Sequence, residues 1–269
     1  MFKLIKRILS SLKPIQTLYV AYDSGGRHKP TIVLLHGIAA TSKTWDPLLK
    51  ELDTKNNRVV VLDLLGFGQS PKPLSLEYNV SDHANYLHNT IMKLKLRKPY
   101  KIVGHSMGAI ISAYYCNRYP HEIQEAYLLS LPLYANENEL HTNISRTHTD
   151  IYLNAYKFLL QNKKFTIDSS QRLRKLLRIN DGIDVTEENW NSFKLSLENT
   201  IIKQNTYNNI KNAKMPINII HGTFDEFLVQ EVIDKLRVFK HVKITKLNAI
   251  DHLLSPRFAS QVAKQITEL

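Results

Sequence analysis

Strand-like and helix-like segments alternate along the first half of the chain and again near its end. Most of the strand-like segments are continuous apolar runs, as expected of strands that are covered on both faces of a sheet. They are residues 16–22, 31–36, 58–63, 101–104, 125–131, 216–221 and 242–247. Segments whose apolar residues have helical spacing separate these strands, for example residues 78–96 and 106–119. Asn79 or Ser81 can cap the first of these helices. This alternation predicts an α/β fold with a mostly parallel sheet.

The middle of the chain has a different pattern. Between residues 133 and 213 no run predicts a buried strand, and the segment contains helical pieces rich in asparagine and lysine. Two apolar stripes have helical spacing: Tyr152, Ala155, Tyr156, Leu159 and Leu160 in one, and Trp190, Phe193, Leu197 and Ile201 in the other. Thr186, followed by two glutamates, is a favourable helix start. We predict a helical cap (lid) at residues 133–213, inserted into an α/β core of residues 15–132 and 214–269.

The composition is that of a globular protein without a disulfide framework. The chain has 269 residues, of which 43% are hydrophobic, so it is long enough to bury a large core. Cys116 is the only cysteine, which excludes a disulfide scaffold and a zinc site of several thiolates. The formal net charge of +12 favours contact with anionic surfaces. No nucleic-acid-binding motif accompanies this charge, so we expect no nucleic-acid partner.

Residues 1–14 form a basic amphipathic segment. Read as a helix, the segment places Phe2, Ile5, Leu9 and Leu12 on one face and its lysines and arginine elsewhere. Basic residues at positions 6 and 7 interrupt the apolar core that a signal peptide needs, and no small-residue cleavage site follows. The segment can rest weakly on an anionic membrane surface, or it can pack on the domain as a terminal helix. We expect a cytoplasmic protein, with peripheral membrane contact as the alternative.

Gly104-His105-Ser106-Met107-Gly108 is a G-x-S-x-G motif. The motif requires a sharp turn from strand to helix that lifts the serine hydroxyl above the sheet edge. Residues without bulk, two positions to either side of the serine, permit that turn. An apolar strand precedes the motif, and a helix with small residues on its first face follows it. This context predicts a nucleophilic Ser106 rather than an ordinary glycine-rich turn.

A serine hydroxyl needs a base that is itself oriented by an acid. In nucleophile-elbow proteins the order along the chain is serine, then acid, then histidine. Asp225 and His252 each follow a strand-like segment after Ser106, so they have this order and meet at the same sheet edge. Glu226 and Asp251 are competing carboxylates, but Asp251 adjoins His252 directly and adjacent side chains diverge. We predict a catalytic triad of Ser106, His252 and Asp225.

The oxyanion of an acyl-transfer reaction needs two N–H donors. One is expected from Met107, the residue after the nucleophile, and the other from the loop after residues 31–36. Gly37 lets the chain turn in that loop, and Ile38 is the expected donor, with Ala39 as the alternative.

The other histidines are expected to have structural roles. His36 and His105 are interpreted as hydrogen-bonded imidazoles of the core or its loops. His36, His221 and His252 lack the spacing of known metal motifs, so we expect no metal site.

Together these motifs resemble the α/β-hydrolase superfamily. The matching segments are residues 36–37 with Trp45, 63–71, 104–108, 221–225 and 251–252, and the resemblance covers residues 31–131 and 215–269. It implies an α/β-hydrolase fold, with a mostly parallel eight-strand sheet flanked by helices and an inserted helical cap. It also implies a ping-pong acyl-enzyme path without a cofactor, and a structural role for the loop at residues 63–71. Ala109 replaces a glycine of many relatives, a mild change in packing.

The resemblance is strongest to a capped group that includes esterases, C–C bond hydrolases and cofactor-free haloperoxidases. We hypothesise a serine hydrolase of small to medium carboxylic esters, with Gly37, Tyr152 and Trp190 as candidates for substrate contact. Cap packing explains the two aromatic residues equally well. A C–C hydrolase, a thioesterase or an acyltransferase can use the same triad, because specificity depends on the cap. A non-catalytic binding protein and a hydrolase of membrane lipid esters are further alternatives.

Overall fold

The computed structural model describes residues 16–134, 143–176 and 184–267. The side chains of residues 143–148 and 173–176 are not part of this description. The basic segment predicted at residues 1–14 also lies outside the described residues.

Seven strands form one sheet in the described part of the chain. They are β1 (Val20–Asp23), β2 (Thr31–Leu35), β3 (Arg58–Leu62), β4 (Tyr100–His105), β5 (Ile123–Leu129), β6 (Ile217–Gly222) and β7 (Val242–Leu247). The spatial order is β1-β3-β2-β4-β5-β6-β7. β1 is antiparallel to β3, and all the other pairs are parallel. The carboxyl ends of six strands therefore meet at one edge, where an α/β sheet presents its functional loops.

Nine α-helices surround the sheet or lie between β5 and β6 in the chain. They are α1 (Asp46–Leu49), α2 (Val80–Leu94), α3 (Met107–Arg118), α4 (Asn143–Gln161), α5 (Lys163–Leu176), α6 (Trp190–Ser196), α7 (Thr206–Lys211), α8 (Gln230–Lys235) and α9 (Pro256–Thr267), counted over the described residues. Short 3₁₀ turns occur at Ser42–Trp45 and Leu236–Val238, and a π-helical stretch at Leu197–Ile202 continues α6. None of the described helices is both long and apolar enough to cross a bilayer.

The central strands are apolar at consecutive positions because the sheet is covered on both faces. In β2, Val33 and Leu35 belong to a cluster with α2, α3 and the helices before β6. Ile32 and Leu34 point to the other face, in a cluster that includes Phe258 of α9. Each such side chain contributes about 1.5–3 kcal/mol when it is fully buried. This two-sided burial fixes the strand ends from which the loops of the site emerge.

Most predicted elements are present, and some differ in detail. The resemblance implied eight strands, whereas the described residues form seven, the number that the apolar pattern predicts. The first strand starts at Val20 rather than residue 16, because pairing with β3 sets its limits. α2 begins after Asn79, whose side chain accepts from the Asp82 N–H at 2.9 Å.

α6 begins four residues after the predicted helix start at Thr186. Thr186 and Asn189 exchange side-chain and backbone hydrogen bonds of 2.8 and 3.2 Å, which close a turn. α6 therefore begins at Trp190, after that turn.

Candidate active site

Ser106 occupies a strained turn between β4 and α3. Its φ of 53° and ψ of −119° lie in a region that side chains rarely adopt. The Ser106 N–H donates to the Leu129 carbonyl of β5 at 2.9 Å, and the residue is 8% exposed. Backbone strain at a strand-to-helix turn is the geometry of a nucleophile elbow. The motif thus forms the turn that the sequence predicts.

The two glycines of the motif are required by close backbone approach. A Cβ on Gly108 would collide with the Leu35 carbonyl, and it would lie 2.6 Å from the His36 carbonyl oxygen. A Cβ on Gly104 would collide with the Gly108 backbone. The elbow is therefore pressed against the end of β2, and only glycine fits at these positions.

Asp225 and His252 are hydrogen-bonded across the ends of neighbouring strands. Asp225 lies in the loop after β6 and His252 in the loop after β7, and Asp225 Oδ1 is 2.9 Å from His252 Nδ1. A carboxylate can only accept, so Nδ1 carries the proton and Nε2 of the neutral ring keeps its lone pair. The Asp225 side chain is almost fully buried, whereas His252 is partly exposed. The acid and the histidine of the predicted triad are therefore in contact.

Asp225 is ionised at neutral pH. Burial raises the pKa of its carboxyl group, but the hydrogen bond with His252 and the charge of that ring lower it more. The Phe227 N–H also donates to Oδ1, at 3.2 Å. The net result is a pKa below the ordinary value, so the carboxylate can orient the histidine and stabilise a positive charge on it.

His105, inside the elbow motif, connects the serine loop to the histidine loop. Its Nε2–H donates to the His252 carbonyl at 2.8 Å, and the two ring centroids are 5.1 Å apart. Burial, followed by the charge of His252, lowers the pKa of His105 to about 4, so the ring is neutral. His105 is the hydrogen-bonded imidazole that the sequence predicts, but its bond to the His252 backbone is a connection that sequence reasoning missed.

Ser106 and His252 form no hydrogen bond with each other in the described part of the chain. The serine adjoins His105, and His105 holds His252, so the elbow and the histidine loop are in contact. Catalytic hydrogen bonds are often long in unliganded sites and shorten only when substrate is present. The structure therefore brings two members of the predicted triad into a hydrogen bond, and His105 holds the His252 loop against the elbow that carries the third.

The loop after β2 lies beside the nucleophile. A Cβ built on Gly37 would be 3.1 Å from Ser106 Cβ and 3.6 Å from Ser106 Oγ. The His36 Nδ1–H donates to the Gly37 carbonyl at 2.7 Å, which holds the loop in this position. Within the described residues, the N–H groups of Ile38 and Met107 donate no hydrogen bond to the protein. The two expected oxyanion donors thus have no acceptor among the described residues, and their role stays a prediction.

Residues 63–71 have the structural role that the resemblance implies. The Asp63 carboxylate accepts from the Ser42 N–H at 2.7 Å and from the Gln69 N–H at 2.8 Å. His36 Nε2 accepts from the Leu64 N–H at 2.9 Å. These bonds hold the loops after β2 and β3 together and occupy both carboxylate oxygens of Asp63.

Aromatic side chains extend from His252 into the helices between β5 and β6. The Phe227 ring meets His252 edge-on at 4.8 Å between centroids, and the Tyr152 ring is 6.0 Å from Phe227. The hydroxyls of Tyr134 and Tyr156 are hydrogen-bonded at 2.9 Å on the same side. Tyr152, a predicted substrate contact, therefore lies one ring away from His252. Phe227 was missed, although its place two residues after Asp225 is a usable signal.

Trp190, the other predicted substrate contact in the cap, has different neighbours. It packs on Phe193 at 5.8 Å between ring centroids, and Lys163 Nζ lies 5.8 Å from its ring centre. Its ring contacts in the described residues do not include Ser106, Asp225 or His252. The packing explanation fits these contacts better than a substrate role does.

The described residues contain no group of three or more His, Cys, Asp or Glu side chains arranged to hold a metal ion.

The family model for the alpha/beta hydrolase fold matches residues 30–252 of this chain. The match begins just before β2, ends on His252 and includes the elbow. This chain belongs to the α/β-hydrolase family. It shows 21% identity to Lipase 3 of Moraxella sp. (strain TA144), over 82% of this chain and 71% of that protein.

A plant protein named Probable lysophospholipase BODYGUARD 1, from Arabidopsis thaliana, is 27% identical over 47% of this chain and 28% of its own length. The chain spans about a quarter of the length of the plant relatives that it matches.

Solved structures share this hydrolase fold. The enol-lactonase of Burkholderia xenovorans LB400 has a TM-score of 0.68 and 20% identity, over 93% of this chain and 96% of that chain. The esterase of Exiguobacterium antarcticum has a TM-score of 0.68 and 15% identity, with the same coverage of both chains.

Proposed function

We propose that this protein is a serine hydrolase that cleaves carboxylic esters through an acyl-enzyme intermediate. The observation that carries the proposal is the hydrogen bond between Asp225 Oδ1 and His252 Nδ1. It leaves the lone pair of His252 Nε2 free to accept a proton, on a loop that His105 ties to the strained Ser106 turn. A histidine oriented in this way is the base that a serine nucleophile needs.

The reaction has two halves. In the first, His252 Nε2 takes the Ser106 hydroxyl proton as Oγ attacks the ester carbonyl, and the Ile38 and Met107 N–H groups receive the developing oxyanion. The tetrahedral intermediate collapses, the alcohol leaves with the proton from His252, and the acyl group stays on Ser106. In the second half, water attacks the acyl group in the same way and releases the carboxylic acid. Asp225 stabilises the positive ring in both halves.

The substrate has an apolar acyl group. Support comes from the aromatic side chains beyond His252, which present rings rather than charges toward the site. The relatives named lipase and lysophospholipase agree with a lipid-like ester. Phe227 and Tyr152 are the residues that we expect to contact the acyl chain.

Ester hydrolysis and active-serine labelling test the proposal together. Wild type and Ser106→Ala are compared on p-nitrophenyl esters from acetate to laurate, with Ser260→Ala on α9 as a serine control. We expect Ser106→Ala to lower kcat by about 10³-fold or more and to abolish fluorophosphonate labelling, and the control to retain both. Undiminished hydrolysis by Ser106→Ala would contradict the proposal. Faster turnover of a thioester or a vinylogous diketone would favour the alternative reactions, and tight ligand binding without turnover would favour a binding protein.

A further inference from the structure

An apolar surface lies on the outside of α4 and α5. It consists of Ile151, Ala155 and Phe158 on α4 and Phe165 on α5, and we call it the cap patch. Ile151 is 56% exposed, Phe158 49% and Phe165 53%. Positions 151, 155 and 158 share one helical face, and the Phe158 and Phe165 rings meet edge-on at 5.3 Å between centroids. These side chains thus form one continuous surface, unlike single exposed apolar residues, which need no explanation.

The apolar surface of α4 extends beyond the side that contacts the core. Its inner side carries Tyr152, Tyr156 and Leu160, which pack against the main hydrophobic cluster. A surface helix normally presents polar side chains on its outer face, and a helix that is apolar all round is normally buried. The exposed face of α4 carries Ile151 and Phe158 beside the polar Asn154 and Lys157, and these two apolar side chains indicate that a partner covers this part of it.

The cap patch lies on a basic pair of helices. Among the described side chains of α4 and α5, at residues 149–172, four lysines and arginines face two aspartates, a net charge of +2: Lys157, Lys163, Lys164 and Arg172 against Asp150 and Asp168. Lys157 and Lys164 directly precede the two phenylalanines, and both are exposed. Lys163 is paired with Glu187 at 2.6 Å. An anionic partner complements this surface, whereas a second copy of a chain with a net charge of +12 would be repelled.

We propose that the cap patch docks on an anionic lipid surface. Exposed aromatic rings enter the boundary between headgroups and acyl chains, and neighbouring lysines reach the anionic headgroups through their flexible stems. Phe158 and Phe165 are the apolar anchors, and Lys157 and Lys164 supply the charge. This surface is distinct from the basic segment at residues 1–14.

Docking would also bring the candidate active site close to the lipid. Tyr152 directly follows Ile151 of the cap patch on α4, and it reaches His252 through Phe227. Tyr152 is then within one helix diameter, about 10 Å, of the lipid surface, and His252 lies deeper by the two ring contacts. This consequence rests on the proposed ester hydrolysis, but the docking itself does not.

Vesicle binding by the full chain tests the docking without any turnover. Wild type is sedimented with phosphatidylcholine vesicles that contain or lack phosphatidylglycerol, beside three double variants. Phe158→Ser with Phe165→Ser removes the anchors, and Lys157→Gln with Lys164→Gln removes the charge. Leu74→Ser with Val238→Ser is the matched control, because those side chains are 82% and 73% exposed and lie outside α4 and α5. Rates on a soluble ester and thermal unfolding verify that each variant is folded.

We expect wild type and the control to bind the anionic vesicles, and the phenylalanine variant to lose affinity at least tenfold. The lysine variant should lose most of the preference for phosphatidylglycerol. If the phenylalanine variant does not fold, Ile151→Ser is measured instead, and a several-fold loss is expected. The proposal is overturned if wild type does not bind vesicles. It is also overturned if the phenylalanine variant binds them as tightly as wild type does. A change in oligomeric state on removing the anchors, without a change in vesicle binding, would assign the surface to a second copy.

Discussion

Replacing Gly37 with alanine should place a methyl group against the candidate nucleophile. The new Cβ would lie 3.1 Å from Ser106 Cβ, 3.4 Å from His105 Nδ1 and 3.6 Å from Ser106 Oγ. Gly37 does not have a positive φ, so alanine adds no backbone strain at this position. The substitution is therefore a steric perturbation of the site that leaves the local fold allowed.

The size of the effect follows from the distances. Two carbon atoms prefer a separation of about 3.5–4.0 Å, so the methyl group and Ser106 overlap by a few tenths of an ångström. Ser106 cannot easily retreat, because its N–H is bound to Leu129 at 2.9 Å and α3 begins at the next residue. Misplacement of a reacting group by about 1 Å can cost 10²-fold in rate. A shift of a few tenths should lower kcat/KM by about 10-fold, or about 1.4 kcal/mol.

The assay is ester hydrolysis with thermal unfolding measured in parallel. Gly25→Ala is the matched control, because its Cβ would meet no atom within 4 Å, although its φ of +74° adds strain of roughly 1 kcal/mol. We expect Gly37→Ala to lose activity at nearly unchanged Tm, and the control to lose some Tm at unchanged activity. If Gly37→Ala has the same kcat/KM as wild type, the placement of this loop beside the nucleophile is refuted. The same holds if unfolding fully explains the loss of activity.

Three further predictions concern stability and reactivity. Gly222→Ala should destabilise the protein by about 1–3 kcal/mol, measured by chemical denaturation, because its Cβ would collide with the Ile250 backbone of the histidine loop. Burial lowers the pKa of His83 to about 3, so the unfolded chain binds more protons between pH 6.5 and 3, and stability falls as pH falls through that range. A Tm series should therefore decline less steeply toward acid for His83→Gln than for wild type. Burial raises the pKa of the Cys116 thiol, so we expect iodoacetamide to label it only in denaturant. Native-state labelling at the denatured rate would contradict that expectation.

The parts of the fold that sequence predicts well are those with a strong local signal. Strands such as β2 and β3 are covered on both faces, so every position is apolar and the run is visible in the sequence. Asn79 as the cap of α2 follows from its own side chain and that of Asp82. The order of Ser106, Asp225 and His252 predicts the hydrogen bond at the end of β6 and β7, because strand ends of a parallel sheet share one edge.

Thr186 has the local signature of a helix start, and its reciprocal bonds with Asn189 have the pattern of a capping box, but α6 begins only at Trp190. The other features that the sequence does not indicate depend on contacts between distant residues. Trp190 and Tyr152 both belong to apolar stripes of helical spacing, and the ring contacts connect Tyr152 with His252 through Phe227 but Trp190 with Phe193. Substrate contact by either residue stays a prediction. The bond between His105 and the His252 backbone joins residues 147 positions apart, and no local pattern indicates it.

The candidate site is held by neutral, buried imidazoles as much as by the three predicted catalytic side chains. His36 donates through Nδ1 to Gly37 and accepts through Nε2 from the Leu64 N–H, so a second proton would break the accepted bond. Burial lowers the pKa of His36 and of His105, which keeps both rings in the state that these bonds require. Hydrogen bonds of these two histidines therefore position the loops after β2, β4 and β7. The protonation state of the two rings depends on how the core packs around them. A substitution that admits water to these rings should disturb the Ser106 turn and the His252 loop together, even if it leaves Ser106, Asp225 and His252 unchanged.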